Sequence, residues 1–318
     1  MIHIWDKEYH PVKDLTVEGL GGVNGIAISS DGRWLAAAGE GKSVFIWDTK
    51  NDWKVQQASG KPGLPHDGPI WGLCFDPMGR WLASGNADSH NRIKRWNIPD
   101  WTLKDETTDL ADSIYTLSTD PKGRWLISGD SLAKVAVRNA EDLSIVDEEI
   151  NVKQGETNVW STAVCPEPLA ILSGNSDGKV YRWTPDKVKD WNGGKPGKKI
   201  SISDADSKIN HTINSVSYST SDRWVAAGGD GGSIEIYDAN LQKVRSLVGH
   251  DGTVWLVTFN SHGTRLASGG SDKIVRIWNI EVMKRNWTSD SPRALYEEAT
   301  AMTGMAVKDG KIVVVRKP

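Results

Sequence analysis

Short β-branched runs that end in an aromatic residue and then Asp or Asn recur along this chain: Val44-Phe-Ile-Trp47-Asp48, Ile234-Glu-Ile-Tyr237-Asp238 and Val275-Arg-Ile-Trp278-Asn279. The residues at the aromatic position are Trp5, Trp47, Trp96, Arg138, Trp183, Tyr237 and Trp278, at spacings of 41 to 54 residues. Such a period constrains the fold more than any single motif, because each unit must be one supersecondary structure repeated along the chain.

A second element precedes most of these runs. It reads Asp31-Gly-Arg-Trp34-Leu-Ala, Met78-Gly-Arg-Trp81-Leu-Ala-Ser-Gly, Lys122-Gly-Arg-Trp125-Leu-Ile-Ser-Gly and Asp222-Arg-Trp224-Val-Ala-Ala-Gly; His262-Gly-Thr-Arg265-Leu-Ala-Ser-Gly is the same element without the Trp. Gly among polar residues marks a tight turn, and the apolar run behind it reads as a buried strand. Another strand comes before each turn, as in Val254-Trp-Leu-Val-Thr-Phe259. With a more variable fourth strand, one unit is four antiparallel strands in about 40–50 residues, the size of one propeller blade.

These residues resemble the WD40-repeat family. The fullest match is Gly249-His250, Val254, Val257-Thr-Phe259, Gly263, Leu266-Ala-Ser268-Gly, Asp272 and Trp278-Asn279, and the resemblance extends along essentially the whole chain. Departures include Arg138 in place of the aromatic residue and Trp-Asn or Trp-Thr in place of Trp-Asp.

Seven inner-strand pairs can be read, beginning near Val23, Ile70, Ile114, Val159, Ile213, Val254 and Met302. The last holds only Met302–Val307 and Lys311–Arg316, whereas the chain opens with third and fourth strands only, Ile2–Asp6 and about Asp14–Val17. The expected fold is therefore all-β: one domain over 1–318, a seven-bladed β-propeller with four antiparallel strands per blade. Its ring is expected to close by two N-terminal and two C-terminal strands sharing one blade, since an open ring would leave unpaired sheet edges.

The sixteen tryptophans sort by repeat position. Trp5, Trp47, Trp96, Trp183 and Trp278 end third strands; Trp34, Trp81, Trp125 and Trp224 begin second strands; Trp53, Trp101, Trp191 and Trp287 follow third strands. All thirteen are expected to pack between sheets, where large aromatic area contributes most. Trp71, Trp160 and Trp255 differ, because they stand near the start of first strands. The pattern Val254, Val257, Phe259 skips one beat, which implies a bulge near Trp255 that can re-aim the side chain. Equivalent positions hold Asn24, Trp71, Tyr115, Trp160, Asn214, Trp255 and Thr303. The family resemblance implies that this position faces the narrow end of the propeller, where partners dock. Aromatic residues there would suit a partner site; the competing reading is that they only cover the top of the core.

Ser268, His250 and Asp272 have the residue types of a hydrolase triad. The resemblance implies instead a structural hydrogen-bond chain from Trp278 through Ser268 and His250 to Asp272, repeated as His66, Ser84, Asp88 and Trp96. The fourth unit keeps Ser173, Asp177 and Trp183 without the His, and Ala37/Gly41 and Ala227/Gly231 replace the Ser and Asp in two others. A catalytic triad duplicated at equal repeat positions is implausible, so no catalytic residue is assigned. Gly19-Leu-Gly-Gly-Val-Asn-Gly25 lacks the Lys-Ser/Thr of a phosphate loop, and Ser203–Ser207 lacks the turn Gly and distal Glu of a calcium loop. No metal site and no cofactor is expected.

Two cysteines, Cys74 and Cys165, exclude a disulfide framework and favour a reducing compartment. The amino terminus has no signal-peptide pattern and no long apolar run exists, so a cytoplasmic protein without a membrane partner is expected. With 38 Lys+Arg against 41 Asp+Glu the net charge is −3, too even to indicate general nucleic-acid affinity. The expected function is a non-catalytic scaffold or recognition subunit, monomeric on its own, binding a protein or peptide on the narrow face within a larger assembly. Two rivals remain: an enzyme using the central channel mouth, and nucleic-acid binding through the basic loop Lys187–Lys199. A short helix at Ser291–Glu298 is a further expectation from its Ser-Pro start.

Overall fold

In the computed structural model, the described residues are all of 1–318 except 7–8, 59–60, 88–91, 108–109, 111, 151–156, 167–168, 185–199, 203–211, 220–223, 239, 261, 281–304, 309–310 and 315–318. The Lys187–Lys199 loop, Ser203–Ser207, the Ser291–Glu298 segment, Asp88 and Thr303 lie outside them. No described helix is long and apolar enough to cross a membrane.

The chain is all-β, and its repeats are the blades of a β-propeller. Blade 1 pairs Val23–Ile28, Trp34–Gly39, Ser43–Asp48 and Lys54–Val55, with Leu64–Pro65 added beside Ser43–Val44. Blade 2 is Ile70–Phe75, Trp81–Asn86, Ile93–Asn97 and Leu103–Glu106; blade 3 is Ile114–Thr119, Trp125–Asp130, Lys134–Asn139 and Ile145–Ile150. Blade 4 is Val159–Pro166, Leu169–Asn175, Val180–Trp183 and Ile200–Ile202; blade 5 is Ile213–Tyr218, Val225–Gly229, Ser233–Tyr237 and Lys243–Val248. Blade 6 has three described strands, Val254–Phe259, Arg265–Gly270 and Val275–Asn279. Apart from Leu64–Pro65, which returns beside Ser43–Val44, the strands of each sheet run in sequence order, as hairpin after hairpin requires.

Among the described residues six blades are present, not the seven expected. The two halves assigned to a shared blade each form their own two-stranded ladder, Ile2–Trp5 with Pro11–Leu15 and Met305–Lys308 with Lys311–Val314. No ladder joins them among the described residues. A hairpin closes over a short turn, whereas joining opposite ends of the chain must offset a larger loop-closure entropy, by about 0.6 kcal/mol for each doubling of the loop.

The structure divides into two compact units: Met1–Ile2, Asp14–Val164 and Thr184–Lys198 in the first, His3–Lys13, Cys165–Trp183 and Lys199–Pro318 in the second. In the first unit, Trp34, Ala36, Val44 and Ile46 of blade 1 pack with Ile70, Phe75, Leu82 and Trp96 of blade 2. Trp101 meets Trp34 edge-on at 5.1 Å. Trp81 and Ala83 of blade 2 pack in turn with Ile114, Leu117 and Leu126 of blade 3. In the second unit, Ile234, Ile236 and Leu247 of blade 5 share a core with Val254, Val257, Leu266 and Trp278 of blade 6.

One glycine position explains this close stacking. A Cβ on Gly85 would stand 2.5 Å from Ile114 Cγ2, one on Gly129 2.5 Å from Val159 Cγ1, and one on Gly228 2.7 Å from Val254 Cγ1. These second strands of blades 2, 3 and 5 thus present bare backbone to a β-branched residue that begins the next blade's first strand.

Candidate functional site

The first strands carry the feature from which the site is built. In blade 2, Ile70 pairs with Asn86 and Gly72 with Gly85, so Trp71 is an extra residue with no partner opposite. The same slip leaves out Asn24, Tyr115, Asn214 and Trp255 in blades 1, 3, 5 and 6. A bulge interrupts alternation: Ile70 and Gly72 are both buried, and Trp71 between them is 37% exposed.

Within the first unit, three of these side chains meet. Tyr115 and Trp160 stack with ring centroids 4.4 Å apart and planes at 25°. Trp71 meets Tyr115 edge-on at 5.7 Å and Trp160 at 6.4 Å. Offset and edge-on contacts of this kind are worth about 0.5–1.5 kcal/mol each beyond area burial, so the rings hold one another in place. Trp160 and Tyr115 are half-buried, and the indole N–H of Trp160 is enclosed without a hydrogen-bond partner among the described residues. Burial and the negative charge of Asp112 push the Tyr115 phenol above its ordinary pKa.

The remaining bulge residues behave differently. Asn24 has its side-chain nitrogen buried without a described partner. Asn214 is tied down, donating to Asp230 Oδ1 at 3.4 Å and to the Val254 carbonyl at 3.3 Å. Trp255, in the second unit, is 59% exposed, and its neighbour Leu256 is exposed as well. The structure therefore brings Trp71, Tyr115 and Trp160 into one cluster, and no described ring contact adds Trp255 to it.

The described members of the two polar chains are bonded to one another within their blades. In blade 6, Trp278 donates its indole N–H to Ser268 Oγ at 2.9 Å, Ser268 meets His250 Nε2 at 2.8 Å, and His250 Nδ1 lies 3.0 Å from both Asp272 oxygens. Arg276 donates to Asp272 Oδ2 at 2.8 Å. In blade 2, Trp96 donates to Ser84 at 2.8 Å and His66 Nε2 stands 2.7 Å from the same oxygen. Ser84 and Ser268 are buried. A hydroxyl enclosed beneath an indole cannot meet a substrate carbonyl, so the triad-like geometry ties strands together. Burial pushes His66 down to about 3 and lowers His250, which keeps both imidazoles neutral.

Blade 4 substitutes another device where it has no His: Tyr181 donates its hydroxyl to Asp177 at 2.7 Å. Arg138, at the aromatic position of blade 3, is buried and donates to the Leu143 carbonyl at 3.0 Å. Cys74 and Cys165 are free and buried, and burial pushes both thiols up to about 12. Neither is a nucleophile near neutrality. Among the described residues no group of three or more His, Cys, Asp or Glu could hold a metal ion.

The family model for the WD domain, G-beta repeat, matches residues 11–48, 63–97, 206–238 and 241–279. The chain is a WD40-repeat protein. It is similar to the meiotic recombination protein rec14 of Schizosaccharomyces pombe, 24% identical over 68% of this chain and 67% of that protein. It is also similar to the protein groucho of Drosophila melanogaster, 24% identical over 80% of this chain and 32% of groucho. A shorter stretch, 24% of the chain, is 33% identical to Protein HIR1 of Cryptococcus neoformans and spans 8% of its length. The matched stretches thus cover a small part of HIR1 and about a third of groucho. Blades 1, 2, 5 and 6 of this WD40-repeat protein carry the family matches, and blades 3 and 4 carry two of the three clustered rings.

Two residues of the site escaped sequence reasoning. Asp112 and Asp130 flank Tyr115 in blade 3: Asp130 pairs across the ladder with Ile114, and the charge of Asp112 acts on both Tyr115 and Asp130. The available signal was a comparison of repeats, since the position of Asp130 holds Asn86 in blade 2 and Asn175 in blade 4.

Proposed function

We propose that this WD40-repeat protein is a non-catalytic interaction scaffold that grips a peptide or protein surface at the Trp71–Tyr115–Trp160 cluster. The observation that carries this reading is the gathering of three large rings from the first strands of three successive blades, one of them 37% exposed on a bulge. Trp and Tyr dominate binding hot spots because they bury large area with few rotatable bonds. Rings already locked against one another lose little freedom on association, which lowers the cost of binding. Relatives as different in length as rec14 and groucho suit a module that serves inside larger assemblies. The free, buried cysteines suit a reducing compartment, and we place the protein in the cytoplasm.

The test compares tagged wild-type protein with the Trp71→Ala/Tyr115→Ala double variant in affinity purification from the native host, read by mass spectrometry. The expected result is loss of the specifically retained proteins, with the melting temperature lowered by no more than about 4 °C. Unchanged retention by the double variant would place the binding surface elsewhere.

A further inference from the structure

Blade 3 spends a negative charge where its neighbours do not. The residue paired with the one before the bulge is Gly39 in blade 1, Asn86 in blade 2, Gly229 in blade 5 and Gly270 in blade 6, and the repeat places Asn175 there in blade 4. In blade 3 it is Asp130. Its structural task is modest: Oδ1 accepts the backbone N–H groups of Leu132 and Lys134, both at 2.9 Å, and so shapes the turn. Asn86 does equivalent work in blade 2 with a neutral amide, accepting the N–H of Arg92 at 2.9 Å. The turn therefore needs an acceptor and has no use for the charge.

That charge is held at a cost. Burial raises the pKa of Asp130, and nearby Asp112 pushes it the same way, against the opposing pull of the turn N–H groups and Lys134. Among the described residues neither Asp112 nor Asp130 forms an ion pair, and Asp130 Oδ2 accepts no hydrogen bond. Asp112 thus acts on Tyr115, and Asp130 stands across the ladder from Ile114, the residue before it; the Tyr115 ring is stacked on Trp160 and edge-on to Trp71. Aromatic faces attract cations through their quadrupole, and an arginine fork suits a carboxylate edge while its plane lies on a ring.

We propose that the segment held at the Trp71–Tyr115–Trp160 cluster presents an arginine side chain, its guanidinium lying against these rings and bonded to Asp130, with Asp112 adding to the field. This rests on the reading of the cluster as the binding site and narrows it to a basic peptide. An acidic or purely apolar peptide would leave the two carboxylates unpaired beneath it, which is unfavourable.

The experiment uses the full chain and three capped peptides: acetyl-Gly-Ala-Arg-Ala-Gly-amide and its citrulline and lysine counterparts. Citrulline keeps the shape of arginine without its charge. Binding is read from the indole N–H resonance of Trp71, assigned by its loss in Trp71→Phe. The expected result is saturable shifts with arginine, at least about tenfold weaker binding of citrulline, and lysine between them. In Asp130→Asn, which keeps the turn acceptor that blades 2 and 4 use, arginine and citrulline should bind within about twofold of each other. If that variant fails to fold, Asp112→Asn is read in its place and should narrow the preference in the same direction. Equal binding of arginine and citrulline by wild-type protein, or none by either, overturns the proposal. Neither result touches the scaffold reading, which stands or falls on partner retention by the Trp71→Ala/Tyr115→Ala variant.

Discussion

At the residue scale, the histidines show how burial fixes a charge state. His66 is enclosed against Ser84 and Trp96, and its pKa falls from an ordinary 6.5 to about 3. Between those values the unfolded chain binds a proton that the folded one refuses. The His66 contribution is therefore fully present above pH 6.5, shrinks as pH falls toward 3, and changes at up to about 1.4 kcal/mol per pH unit within that window. Urea unfolding from pH 7 down to pH 4.5 should show a shallower pH dependence for His66→Gln than for wild type. His250 is common to both proteins, so the difference isolates His66; equal slopes would mean that His66 is protonated in the folded state. The residue types of these chains were legible because Ser, His and Trp recur at matching repeat positions. The sequence does not reveal Arg276, which reaches Asp272 from the same third strand that carries Trp278. A charge's partner depends on which side of a strand faces the neighbouring turn.

At the element scale, the second strands of blades 2 to 5 carry a glycine, Gly85, Gly129, Gly174 and Gly228, that sets how near the next blade's first strand comes. Gly129→Ala would drive a methyl group into Val159 Cγ1 at 2.5 Å and Thr116 Cγ2 at 2.7 Å, with Val159 Cβ behind it. Overpacking of this kind costs about 1–3 kcal/mol. Gly269 holds the same repeat position in blade 6, and among the described residues nothing lies within 4 Å of its added Cβ. Gly269→Ala should change stability by no more than about 0.5 kcal/mol in the same denaturant assay. Similar losses for both would show that the glycines answer to backbone needs and not to stacking. The bulge is the second device at this scale. The skipped beat between Val254 and Val257 made it legible in blade 6, and the ladder slips at the matching residue in blades 1, 2, 3 and 5 as well. Which bulged side chains would touch was not legible. Repeat position gives seven equivalent places, and only packing within the first unit selects Trp71, Tyr115 and Trp160 as a cluster.

At the scale of the molecule, the near balance of 38 Lys+Arg and 41 Asp+Glu bears on the kind of partner. Phosphate binding draws on several cations that release counterions together, and its affinity falls steeply with salt. The chain should pass through heparin resin unretained at about 0.15 M salt. Retention that is lost on neutralising Lys187, Lys189, Lys195, Lys198 and Lys199 would show that this loop binds polyanions.

The sequence by itself determined the repeat unit, the hairpin order, the family and seven core tryptophans of the thirteen expected (Trp34, Trp47, Trp81, Trp96, Trp101, Trp183 and Trp278), because period, turn glycines and apolar runs are local properties that each unit states again; Trp5, Trp53, Trp125 and Trp224 are only half-buried. The number of blades was decided only by the tertiary structure: terminal hairpins can pair within themselves, and no local pattern specifies a ladder between distant ends. The tertiary structure also decided which rings meet and which carboxylates stand beside them, since these depend on the approach of one sheet to the next through a glycine-wide gap.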